Sequence, residues 1–181
     1  MVIKMSNWVN DARERACRML AENKISLTEA ERRNIEICDY GLNRFEEIGT
    51  EIVIYVNTEN CCAKELILFP WQICPQHYHP KIGEYQGKEE TFRCRYGEVY
   101  LYISGESTEN PCAVLPEDKR GVFTVWHEIK LMPGEQFTLK PGTLHWFQGG
   151  PGGAIVSEFS TKSYDDLDIF TDPEIKRIPN Q

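Results

Sequence analysis

Three histidines and a glutamate are spaced in this chain so that they could share one divalent ion. They occur as His77-Tyr78-His79, then Glu90 with six residues between it and Gly97, and far downstream Pro141-Gly142-Thr143-Leu144-His145. Successive side chains on a β-strand point to opposite faces, so His77 and His79 share a face and can converge. Glu90 is expected from the returning strand, and His145 from a strand distant in sequence. Glu89 competes with Glu90 for the carboxylate position. The two face opposite ways, and only Glu90 leaves six residues before Gly97. Three neutral imidazoles with one carboxylate form a mixed N/O set that suits Mn, Fe, Co, Ni or Zn. Four protein ligands close a tetrahedral zinc site, whereas an octahedral ion keeps two adjacent positions for neighbouring oxygens of one substrate. That favours Mn(2+), or a similar octahedral ion, in a catalytic role.

Two further charged residues belong to the chemical reading. Lys88 precedes Glu90 by two positions and brings a cation beside the ion if the strand extends that far; the competing reading is a solvated hairpin lysine next to Gly87. Glu158 interrupts the otherwise apolar run Ala154 to Ser160. Inside a barrel and beside a dication it can ionise and act as a base; the competing reading is an exposed edge carboxylate. Ile155 and Phe159, on the opposite parity, also call for cover, under helices or in a dimer. The fourth histidine, His127, follows Trp126 and reads as a surface or interface residue. Cys74 lies three residues before His77 but is a small buried hydrophobe in this reading, not a ligand.

The elements that must position these groups change character near residue 50. From Ser6, as an N-cap, to Asn23, the residues Trp8, Ala12, Ala16, Met19 and Leu20 recur at helical steps. Thr28-Glu29-Ala30-Glu31 fits a capping box behind a Leu27 staple, with Gly41 as the expected stop. From Glu51 on, short β-branched and aromatic runs predict strands at 52–56, 66–69, 99–103, 122–126 and 154–157, separated by Gly- and Pro-rich turns. Many short, regularly punctuated strands predict an all-β barrel or jelly roll. With the ligand pattern, the expected architecture is a cupin barrel over 51–162. A helical extension over 1–50 packs outside it, and an irregular tail over 163–181, acting as lid or strap, completes one domain.

Composition narrows the function classes. At 181 residues the chain suits one well-buried domain. Its net charge of -8 argues against a nucleic-acid surface, which needs clustered Lys and Arg. No apolar run is long enough for a membrane helix, and Met1-Val2-Ile3-Lys4 lacks a signal-peptide core. The 7 cysteines follow no framework or CxxC spacing, as expected of reduced thiols in the cytoplasm.

Several runs go further than a generic cupin. Lys64 to Pro70, His77-Tyr78-His79-Pro80, Gly87 to Gly97, Thr124 to Glu128, His145 to Gln148 and Asp168 to Pro173 together resemble the bacterial D-lyxose isomerases. The gap between His79 and Glu90 exceeds the general cupin pattern but recurs in that family. Pro141-Gly142 departs from the pattern by lacking the usual intervening residue. The resemblance implies a manganese-dependent aldose–ketose isomerase, usually a homodimer, that interconverts D-lyxose with D-xylulose and often D-mannose with D-fructose. It carries over His77, His79, Glu90 and His145 as ligands, with Lys88 and Glu158 near the sugar. The chemistry then expected is an open sugar chelated through O1 and O2, deprotonated at C2 to an enediolate; a hydride shift is the rival route. An Fe(II)-dependent cupin dioxygenase and a non-catalytic sugar-binding cupin are the alternative functions.

Overall fold

The computed structural model describes residues 7–177. It is a curled nine-stranded sheet with two helices on its outer side, the cupin-type barrel that the strand pattern predicts. Its elements are α1 (Asn7–Glu22), α2 (Glu29–Arg33), β1 (Glu36–Cys38), β2 (Thr50–Asn57), β3 (Cys62–Leu68), β4 (Ile73–Tyr78), β5 (Glu90–Ile103), β6 (His127–Leu131), β7 (Gln136–Leu139), β8 (His145–Ser160) and β9 (Ile169–Phe170). The long β8 organises the barrel. One edge pairs with β3 through residues 154–160 and with β4 through residues 145–148, while the other pairs with β5 along almost its whole length. Gly97 makes the close approach of β5 and β8 possible. Its φ is +70°, and a Cβ there would lie 2.0 Å from the carbonyl oxygen of Gly153.

Parity along these strands decides which side chains enter the barrel. Leu66, Val156 and Cys94 lie side by side across β3, β8 and β5 and form part of the interior core. Two residues further on, the same face carries Lys64, Glu158 and Phe92. The opposite parity meets helix α1. Val9, Ala12, Ala16 and Leu20 pack there against Ile35, Ile37, Phe45, Val53, Ile67, Phe69 and Ile155. Ile155 is thus covered by the N-terminal helix, while Phe159 remains 50% exposed. The expected Ser6 cap lies outside the described residues.

Two sequence expectations are corrected. The capping box forms, with Thr28 N–H donating to Glu31 Oε2 at 2.7 Å and Glu31 N–H to Thr28 Oγ1 at 3.2 Å. The helix stops at Arg33, however, not near Gly41, and has no buried residue. Ile35 and Ile37 must both be covered, and their alternation suits β1, which pairs with Thr50–Ile52. The strand expected over 122–126 is not a ladder strand either. A 3-10 turn, Glu117–Val122, precedes an extended stretch whose Thr124 and Val125 N–H groups donate to Gln76 Oε1 at 2.7 and 3.1 Å. A buried glutamine side chain replaces the neighbouring strand, and pairing begins at His127.

The segment from Ser163 runs across the barrel, and its Asp165, Asp168 and Phe170 line the interior. Within it β9 pairs with His77 and Tyr78 of β4. Ion pairs tie the strap to the body through Lys64–Asp165 (2.6 Å), Lys119–Asp172 (2.7 Å) and Arg177–Glu36 (2.5 Å).

Candidate metal and active site

The four expected ligand positions come together at one end of the barrel. His77 lies one residue before the end of β4 and is the cross-strand partner of His145, which opens β8. Their ring centroids are 4.4 Å apart. His79 follows just beyond β4, and Glu90 opens β5. Glu90 Oε1 lies 3.0 Å from His79 Nε2 and 3.2 Å from His145 Nε2. All four residues are buried, whereas Glu89 faces solvent.

Each imidazole is held by its other nitrogen. His77 Nδ1 meets the Pro75 carbonyl at 2.8 Å, His145 Nδ1 the Thr143 carbonyl at 2.9 Å, and His79 Nδ1 the Asp168 carboxylate at 2.5 Å. An Nδ1–H committed to an acceptor leaves the lone pair on Nε2, the arrangement that metal-binding histidines need. The three histidines can each offer a ligand atom within 4.8 Å of the others, and buried His145 Nε2 has no hydrogen-bond partner among the described residues. Burial pushes His145 down to about 4, and burial together with the neighbouring histidines holds His77 well below its usual value. Both rings are therefore neutral at pH 7. For His79, burial is outweighed by Glu90 and Asp168, which raise it to about 9; a cation bound there displaces a proton. Burial disfavours an ionised Glu90, but Lys88 and His79 overcome that and keep its carboxyl well below the ordinary range. With the His79 proton displaced, three lone-pair nitrogens and a carboxylate fit a divalent metal.

The two residues singled out beside this set enter the same chamber. Lys88 precedes the strand yet is buried, with Nζ 2.8 Å from Glu90 Oε2 and 2.8 Å from Glu158 Oε1. Burial opposes its charge, but Glu158 and Glu90 restore it and hold its pKa well above the ordinary lysine value. Glu158 is buried at an interior position and not on an exposed edge. Ser160 Oγ also donates to its Oε1 at 3.2 Å. His127 stays outside the site, its Nδ1 on the Glu106 carbonyl. Cys74 turns its sulfur to the Tyr40 hydroxyl at 3.2 Å.

Sequence reasoning missed Lys64 and Asp165. Lys64 Nζ contacts Asp165 Oδ2 at 2.6 Å and lies 3.8 Å from Glu158 Oε1, so two cations and two carboxylates interlock behind the histidines. Lys64 carried the same signal as Glu158, a charge at an inward position of an apolar strand. Asp165 carried none, since the acidic strap looks alike at every carboxylate. The surrounding chamber has Leu66, Phe92, Phe147 and Phe170 among its apolar walls.

The chain is 60% identical to a D-lyxose ketol-isomerase of Thermofilum sp., over 94% of this chain and 95% of that one. It is 55% identical to a D-lyxose/D-mannose isomerase of Thermosediminibacter oceani, over 94% of each. Among solved structures, an L-ribose isomerase of Cellulomonas parahominis shares the fold with a TM-score of 0.80 at 15% identity, covering 94% of each chain. The D-lyxose isomerase family matches residues 17–180, and the chain belongs to that family.

Proposed function

We propose that this chain is a metal-dependent aldose–ketose isomerase that interconverts D-lyxose with D-xylulose, and D-mannose with D-fructose. The observation that carries this reading is the juxtaposition in one buried chamber of a three-histidine, one-glutamate donor set with the Lys88–Glu158 pair. Family membership supports it, and relatives 52% and 60% identical are D-lyxose ketol-isomerases.

His77, His79, Glu90 and His145 would hold the ion. A divalent metal there, Mn(2+) first among the candidates, supplies Lewis acidity that polarises the sugar carbonyl and acidifies the neighbouring C–H. Glu158 takes the proton from C2 of the opened aldose and returns it at C1, while the O2 hydroxyl proton passes to O1. Lys88, Ser160 and Lys64 all approach its Oε1, which leaves Oε2 to face the substrate. Lys88, kept cationic between two carboxylates, balances the charge of the enediolate. The apolar walls keep water from that intermediate. The reading is tested by incubating EDTA-treated and Mn(2+)-reconstituted protein with a panel of aldoses while following ketose and dissolved oxygen. Ketose from the reconstituted protein, with oxygen unchanged, is the expected result; oxygen uptake without ketose would make the protein an oxygenase instead.

Asp168 orients His79 in this scheme and raises its basicity. Asp168→Ala is expected to weaken Mn(2+) binding about 10- to 100-fold by titration calorimetry, the usual effect of removing such a partner. Unchanged affinity would remove it from that role.

A homodimer is proposed as well. Phe159 is 50% exposed on β8, and Ile54 and Tyr55 of β2 are 44% and 43% exposed, apolar surface that a second copy would cover. Light scattering at micromolar concentration should return the mass of two chains, and a monomer mass would contradict this. No described helix is long and apolar enough to cross a membrane. The seven free thiols suit a reducing compartment, and we place the reaction in the cytoplasm.

A further inference from the structure

Tyr40 adopts a backbone conformation that a bulky side chain rarely takes, with φ at +56°. Strain of this kind persists only where the surroundings impose it, and it concentrates at functional sites. Here a tight turn sets it, with Leu42 N–H donating to the Asp39 carbonyl at 3.0 Å and Gly41 also at positive φ, and the strap packs over that turn. The Tyr40 carbonyl accepts from Lys176 N–H at 2.8 Å, and the ring meets Phe170 edge-on, with centroids 5.6 Å apart. Held in this way, the side chain reaches into the barrel. Its hydroxyl lies 2.8 Å from Thr50 Oγ1 and 3.2 Å from Cys74 Sγ, and all three residues line the chamber that contains the histidines and Glu158.

The position of this cluster relative to the histidines is defined. Phe170 stands between them, its ring centroid 5.3 Å from His77 and 5.6 Å from Tyr40. A bulge between Cys74 and His77 sets them opposite Phe147 and His145, two residues apart on β8, so the cluster lies about 7 Å along the ladder from the metal ligands, roughly the length of an extended five-carbon polyol. The cluster also answers a chemical need. Much of the intervening wall is apolar, from Ile52, Leu66, Phe147 and Phe170, and a sugar hydroxyl buried there without a partner would oppose binding. Each hydroxyl oxygen has two lone pairs, so Tyr40 and Thr50 can accept from a further donor while bonded to one another.

We propose that Tyr40 is a specificity-determining residue. Its hydroxyl, oriented by Thr50 and Cys74, accepts a hydrogen bond from the terminal hydroxyl of the open-chain aldose whose carbonyl end lies at the histidines. This rests on the isomerase reading above and adds which end of the substrate the strap side of the chamber recognises.

The test measures kcat/KM of Mn(2+)-loaded wild type, Tyr40→Phe and Thr50→Val on D-lyxose and on 5-deoxy-D-lyxose, which lacks the terminal hydroxyl. Comparing enzymes on the same sugar cancels the different ring-opening equilibria of the two sugars. Tyr40→Phe should lose about tenfold on D-lyxose, the scale of one hydrogen bond, and less than about twofold on the deoxy sugar. Thr50→Val should show the same sugar dependence, and it decides the matter if thermal melts show that Tyr40→Phe is unfolded. Equal losses on both sugars would make the cluster purely structural and overturn the proposal, as would no loss on either. Wild type that forms no ketose from D-lyxose would overturn the isomerase reading itself and this assignment with it. Active wild type with an indifferent Tyr40→Phe would overturn this assignment alone.

Discussion

His145→Ala should lose its bound metal and at least about a thousandfold of its isomerase activity, the consequence of losing several kcal/mol of transition-state charge stabilisation. His145 is 1% exposed, faces His77 across the β4–β8 ladder and brings Nε2 to 3.2 Å from Glu90. No other described histidine can replace it, because His127 points to the Glu106 carbonyl outside the site. The backbone pairing of β8 with β4 and β5 does not depend on the imidazole, so the variant should fold with some loss of stability from the cavity. Metal content by plasma mass spectrometry and ketose formation should fall together, and His127→Ala should change neither. Full activity in His145→Ala, or in EDTA-stripped wild type, would end the metal-dependent account.

Glu158→Gln should keep its fold and its metal while turnover falls by roughly a hundredfold or more, the usual scale for general acid–base catalysis. The substitution preserves shape, and Lys88 retains Glu90 at 2.8 Å and Asp165 at 3.9 Å, so the neighbouring charges stay in place. What disappears is a carboxylate able to carry a proton between C2 and C1. Lys88→Ala should also slow turnover, by removing the cation that faces the enediolate. Near-normal turnover in Glu158→Gln would take this residue out of the mechanism. Few carboxylates could then replace it, since Glu84 and Glu89 face solvent and Asp168 is committed to His79. Asp165, between Lys64 and Lys88, would be the next candidate.

The legible parts of this molecule are those encoded by periodicity. Opposite parity separated Glu90 from Glu89, the apolar run around Glu158 marked that charge as exceptional, and Ile155 called for cover that α1 provides. The less legible parts depend on long-range partners. Ile35 and Ile37 draw a segment that local capping marks as helical into the sheet. Gln76 satisfies the backbone of 124–125, so a run with strong β propensity never joins a ladder. The strap was the least legible. Nothing local distinguishes Asp165 and Asp168 from Asp166, yet the first meets Lys64, the second meets His79, and both line the chamber. Tyr40 belongs to the same class through its contacts, since Phe170 and Lys176, which meet it, lie far along the chain.

The central claim, proton-transfer isomerisation in a metal-loaded barrel, is tested most directly by letting Mn(2+)-reconstituted protein act on D-lyxose in D₂O and analysing the product by NMR. The account predicts D-xylulose carrying deuterium at C1, because the proton that Glu158 delivers there can exchange with solvent before it is returned. Absence of ketose would contradict the isomerase assignment, and D-xylulose with no deuterium at C1 after many turnovers would contradict proton transfer in favour of a hydride shift.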